Sequence, residues 1–162
     1  MKQINPEHLD ALLALINASP FFKLLDMKVC ELRKGYSKIT VALDRKHLNP
    51  FGGVHGGVYA SVIDTAAYWA AYCEMEENAG YTSVDLSVNN LSMMKEGVMI
   101  AEGQTIRIGR SICLCQAAVT DAAGKLIAHG TSKLMVLQGK QSVSQAVQAM
   151  KAPALPPKYI EL

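Results

Sequence analysis

From about residue 55 to residue 76 the chain reads as one long helix, with Val58, Ala60, Val62, Ile63, Ala66, Ala67, Trp69, Ala70 and Ala71 spread around its whole circumference. A helix that is apolar on every side has no face to give to water, so other elements must enclose it. A bilayer is not that enclosure. Asp64 is the only formal charge between Leu48 and Cys73, and Gly52, Gly53, Gly56 and Gly57 interrupt the first third of the stretch. The remainder, roughly 16 residues from Val58 to Cys73 with a carboxylate inside, is too short and too polar to span a membrane.

The flanking sequence supplies the wrapping. Residues 27 to 34 and 36 to 43 read as a hairpin turning at Gly35, with Lys38 and Thr40 alternating against Ile39 and Val41. After the helix, Thr82 to Asn89, Val98 to Ile108, Ser111 to Thr120 and Lys125 to Leu137 read as a four-strand meander, with turns at Gly109-Arg110 and Asp121 to Gly124. The fold class is therefore α+β: an antiparallel sheet of about six strands around a long central helix. An earlier helix is predicted from Asn5 as cap and Pro6 in the first turn, with Leu9, Leu12, Leu13 and Ile16 on one face and Ser19-Pro20 as its end.

At 162 residues with half of them apolar, the chain suits one domain, drawn at residues 1–138. Residues 139–162 read as an appendage: a possible short helix carrying Val143, Ala146, Val147 and Met150, then a tail with Pro153, Pro156 and Pro157. The net charge is +2 and the basic residues are scattered, which argues against a nucleic-acid partner. The opening MKQINPEHLD has no signal-peptide pattern, so a cytoplasmic location is expected, with Cys30, Cys73, Cys113 and Cys115 reduced and buried. Cys113 and Cys115 fall at strand spacing on one face, without a metal-binding C-x-x-C.

Asp64 is the residue to explain, since Val62, Ile63, Ala66 and Ala67 leave it no polar face and an unpaired buried carboxylate is costly. It is either satisfied by a nearby hydroxyl or amide, or it is a catalytic base or nucleophile. Just upstream, H-L-N-P-F-G-G-V-H-G-G (His47 to Gly57) delivers an imidazole, an amide and four glycines to a helix N-terminus. Unpaired N–H groups and the positive end of the helix dipole gather there, and Gly56 and Gly57 allow a carbonyl to approach the backbone. That is the outline of an oxyanion hole, or simply a glycine-rich turn with His55 beside the cap.

Asn49, then His55-Gly56-Gly57, then the helix residue Asp64 resemble the hotdog-fold acyl-CoA thioesterases of the phenylacetyl-CoA (PaaI) type. Ser83-Val84-Asp85-Leu86-Ser87 resembles the family's first strand after the helix, Gly109-Arg110-Ser111 its mid-sheet hairpin, and Gly124 to Gly130 its penultimate turn and last strand. The resemblance covers about residues 20 to 137. It implies Asp64 as base or nucleophile, the Gly56 N–H as donor to the thioester carbonyl, and Asn49 and His55 as the shape of that pocket. Ser83 would assist the attacking water, with Thr82 one position away. Gly57, Thr82, Arg110 and Ser111 would meet substrate, Arg110 at the phosphates of coenzyme A, where a cation suits an anion.

The expected activity is acyl-CoA thioester hydrolysis, with the coenzyme A thioester as substrate, no further cofactor and no metal. A hotdog hydratase or dehydratase is the first alternative, although H-F-P and D-x-N-x-x-H signatures are missing. A non-catalytic acyl-CoA binding or sensing module is the second. His8 and His129 read as structural or exposed, and Met93, Met94 and Met99 as core filling or an acyl channel. Gly56 and Asp64 are eight residues apart, roughly 12 Å along one helix, so one chain cannot bring both to one thioester. A homodimer with shared sites follows, one chain giving Asn49, His55 and Gly56 and the other Asp64 and Ser83. The resemblance implies the same dimer, and a dimer of dimers.

Overall fold

The computed structural model describes residues 2–161. Two strands and two helices come first: β1 (Lys2–Ile4), α1 (Pro6–Asn17), α2 (Pro20–Leu25) and β2 (Met27–Arg33). The Asn5 side chain caps α1 by accepting from the Glu7 N–H at 3.1 Å, and the helix stops before Ser19-Pro20, as predicted. Pro20 then opens α2, a helix absent from the sequence reading. Then β3 (Tyr36–Ala42) closes the expected hairpin at Gly35, whose φ of +68° suits glycine.

The central helix α3 (Gly56–Tyr72) is followed by β4 (Ala79–Asn90), β5 (Val98–Arg107), β6 (Ile112–Thr120) and β7 (Leu126–Gln138). All pairings are antiparallel, in the order β2-β3-β5-β6-β7-β4. The expectation of a four-strand meander is corrected here. Only β5, β6 and β7 form one, while β4 crosses to the far edge and pairs with β7. The seven residues between β4 and β5 permit that crossing, and Leu43 N–H bonding Gly97 O at 2.9 Å holds β5 beside β3 instead.

The sheet curls around α3. Val62, Ile63, Ala66, Ala67 and Ala71 are fully buried in one cluster with Ile39, Val41, Met99, Cys113, Cys115 and Leu134, and Ala70 is fully buried too. The alanine-rich side of α3 lets helix and sheet approach closely. At Gly103 on β5 an added Cβ would lie 2.1 Å from Ala66 O, a carbonyl that also accepts from Ser37 Oγ at 2.6 Å. No helix among the described residues is long and apolar enough to cross a membrane. Cys73, Cys113 and Cys115 are buried thiols, whereas Cys30, on the outer side of β2, is exposed.

Residues 139–161 add α4 (Val143–Ala149) and β8 (Tyr159–Glu161). β8 pairs with β1, Lys2 opposite Glu161, so the two ends of the chain form a second small sheet. The segment expected as an appendage thus packs on the body: Val143, Val147, Met150 and Leu155 rest on the core and Lys158 is fully buried.

Candidate active site

The turn before α3 is built by its own polar side chains. Asp44 caps a short 3-10 helix (Arg45–His47), and the buried His47 accepts from Asp44 N–H through Nδ1 at 2.9 Å. Its Nε2 therefore carries the proton and donates to Leu25 O at 2.7 Å, tying the end of α2 to the turn. Asn49 Oδ1 accepts from the N–H groups of Phe51 at 2.9 Å and Gly53 at 3.3 Å. That oxygen is spent on the loop, which makes Asn49 a builder of the turn. A Cβ at Gly53 would lie 2.3 Å from Met93 Sδ, so any larger residue there would have to displace that exposed, flexible side chain.

His55 caps α3, its Nδ1 accepting from Gly57 N–H at 2.8 Å. The expectation that Gly57 meets substrate is corrected for its N–H, which His55 already occupies. The Gly56 N–H, first in the helix, has no acceptor among the described residues. It opens on a cleft of about 330 Å³ lined by Val54, Gly56, Tyr59, Asn90, Leu91, Ser92 and Met93. Of the three methionines weighed as a channel, Met93 alone reaches this cleft. Met94 and Met99 are buried in the core.

Asp64 lies on a different surface, at a cleft of about 530 Å³ with Phe21, Phe22, Ala60, Ser61, Thr65, Tyr68, Trp69 and Leu86. The sequence left it no polar face. In the fold it is half-buried and lines this cleft. Ser83 Oγ donates to Asp64 Oδ1 at 2.7 Å. A register shift between Ser83 and Asp85 in β4 lies at this point, with Ser83 opposite the buried Leu134 on the helix-facing side. Thr82 is opposite Met135 on the other side of the sheet, so it is not brought to Asp64.

Asp64 is the one carboxylate in its cleft. Burial, with a smaller effect of the Asp64 charge, pushes the Tyr68 phenol up to about 12, so Tyr68 stays neutral and donates to Tyr81 O at 3.1 Å. Arg110 and Ser111 sit exposed in the turn between β5 and β6 and line neither cleft. Phe21, Phe22, Tyr68 and Trp69 were missed as site residues. The signal for the last two was their spacing, four and five residues beyond Asp64 on one helix.

The arrangement supplies a carboxylate aligned by a hydroxyl in an apolar cleft, and a free helix N-terminal N–H beside a second cleft. Residues 51–128, which carry the glycine-rich turn, α3 and β4 to β6, match the family model of the thioesterase superfamily. Over that stretch the chain is similar to the thioesterase superfamily. Human acyl-coenzyme A thioesterase 13 is 28% identical over 131 residues, 80% of this chain and 83% of that protein. The 1,4-dihydroxy-2-naphthoyl-CoA hydrolase of Listeria monocytogenes is 25% identical over 103 residues, 64% of this chain and 84% of that protein. A thioesterase family protein from Silicibacter pomeroyi superposes with a TM-score of 0.73 at 26% identity, covering 82% of this chain and 99% of that one. The superfamily's hotdog fold is the α+β fold found here, and thioester hydrolysis is the reaction class.

Proposed function

We propose that this thioesterase hydrolyses an acyl or aryl coenzyme A thioester to the free acid and coenzyme A. The observation that carries the reading is the Asp64 carboxylate, held at one oxygen by Ser83 and facing an apolar, aromatic-lined cleft. Its other oxygen is free to take a proton from water as the water attacks the thioester carbon. The C–S bond then breaks and the proton passes to the departing thiolate. Direct attack by Asp64, giving an anhydride that water opens, uses the same geometry. Ser83 fixes the carboxylate, and its lone pairs are placed to accept from the water.

The oxygen of the tetrahedral intermediate needs a donor, and Gly56 N–H at the positive end of α3 is the unspent one. Gly56 and Asp64 line separate clefts of a single chain. The proposed site is therefore composite: the Asn49–Gly56 turn of one copy over Asp64 and Ser83 of another. β4 supports this, being a 12-residue edge strand with Val84 and Leu86 exposed, a ready template for pairing with a second chain. Arg110 is proposed to meet the phosphates of coenzyme A across that pairing. No cofactor beyond the substrate is invoked.

A panel of aryl, short, medium and long acyl-CoA thioesters followed by free-thiol release tests the activity. Turnover on at least one substrate, abolished by Asp64→Asn, is expected. Saturable binding without turnover would replace hydrolysis by acyl-CoA sensing.

A further inference from the structure

The end of α3 is gripped by a segment outside the family module. Lys158 is 0% exposed, and its Nζ donates to Tyr72 O at 2.8 Å and Met75 O at 2.6 Å, the carbonyls that finish α3 and the turn beyond it. A cation there meets the negative end of the helix dipole. The same ammonium lies 4.1 Å from the centroid of the Tyr72 ring. The segment around it is anchored from three sides. Lys158 N–H donates to Glu77 Oε1 at 3.1 Å, Asn5 N–H donates to Lys158 O at 2.9 Å, and Tyr159 OH donates to Met75 O at 2.9 Å. His8 adds a fourth tie: Nδ1 donates to Pro156 O at 2.7 Å, so Nε2 accepts from Tyr72 OH at 2.6 Å.

Tyr72 passes this grip onward. Its ring lies 5.7 Å from that of Trp69, and Trp69 meets Tyr68 edge-on at 5.2 Å. Trp69 and Tyr68 wall the Asp64 cleft. A buried amine costs desolvation that an apolar side chain of the same length would not, so simple space-filling does not account for lysine here.

We propose that Lys158 is a positioning residue that clamps the last turn of α3 and, through Tyr72, sets the Tyr68–Trp69 wall against which the acyl group packs. The acyl half of this assignment rests on the function proposed above. Lys158 touches no reacting atom, and Asp64 sits two turns earlier with its own tie to Ser83. The clamp therefore acts on acyl binding, and its effect grows with the bulk of the acyl group.

Trp69 is the only tryptophan of the chain, so its fluorescence reports the wall directly. Lys158→Met, compared with wild type for acrylamide quenching of Trp69 at equal helix content, is expected to raise the quenching constant about twofold. On acyl-CoA substrates, KM for the bulkiest accepted acyl group should rise about fivefold while KM for acetyl-CoA and both kcat values stay within about twofold. Tyr159→Phe, which removes one hydroxyl from the same clamp, should move both readouts the same way by less, and it decides the matter if Lys158→Met does not fold. A folded variant with wild-type quenching and an unchanged KM ratio overturns the proposal, as does an equal fall of kcat on both substrates. The quenching needs no substrate: a chain that turns over no acyl-CoA sinks the proposed function, while Trp69 still reports whether Lys158 sets the wall.

Discussion

Asp64→Asn keeps the shape of the side chain and deletes its ability to take a proton or attack carbon. Its kcat should fall roughly a hundredfold or more with KM changing less, measured by thiol release on the best acyl-CoA. Ser83→Ala leaves the carboxylate in place but unaligned, so a smaller loss is expected, about tenfold in kcat. Loss within threefold of wild type for Asp64→Asn would remove that residue from the chemistry. Lys158 yields a pH effect. Burial pushes its amine down to about 8 from an ordinary 10.5, the charges of Cys73, Glu77 and Glu76 pulling partly back. Between those two values the unfolded chain holds more protons than the folded one, so stability rises with pH across the window and is lost as pH falls through 8. Neighbouring acids act oppositely, since burial raises the Tyr72, Cys73 and Tyr159 groups, Cys73 to about 11. Between pH 7.5 and 10 denaturant titrations should therefore show stability changing more favourably with rising pH in wild type than in Lys158→Met, and equal changes would place the titration elsewhere.

At the scale of elements, the contact of α3 with the sheet is the most exacting feature. Gly103→Ala drives a methyl toward the Ala66 carbonyl and should cost about 1–3 kcal/mol or more, read as a lowered denaturation midpoint. A neutral result would mean that α3 shifts without penalty. The sequence made α3, the β2–β3 hairpin and the β5–β7 strands legible, because each repeats a period long enough to recognise, 3.6 for the helix and 2 for strands. Elements set by distant partners were not legible. α2 has six residues and β1 and β8 three each, too few for a period, and β1 pairs with β8 from the opposite end of the chain. β4 was recognised as a strand but placed beside β5, since consecutive strands usually neighbour one another, and a seven-residue crossing defeated that rule. The site divides the same way. The Asp64–Ser83 bond joins two residues singled out in advance, whereas Phe21 and Phe22 reach the cleft through the unforeseen α2.

In the molecule as a whole, the two groups proposed to act on one thioester lie on separate surfaces, with Gly56 N–H without an acceptor among the described residues at one cleft and Asp64 with Ser83 at another. Completion by a second copy is what the proposed function requires. It is tested by co-refolding Asn49→Ala, which loosens the turn that sets Gly56, with Asp64→Asn in equal amounts, each variant first shown to be inactive alone. If sites are shared, about half the dimers are mixed, each with one intact and one doubly damaged site, and roughly a quarter of wild-type thiol release should return. Continued inactivity, with mixed dimers confirmed by mass, would contradict the composite site.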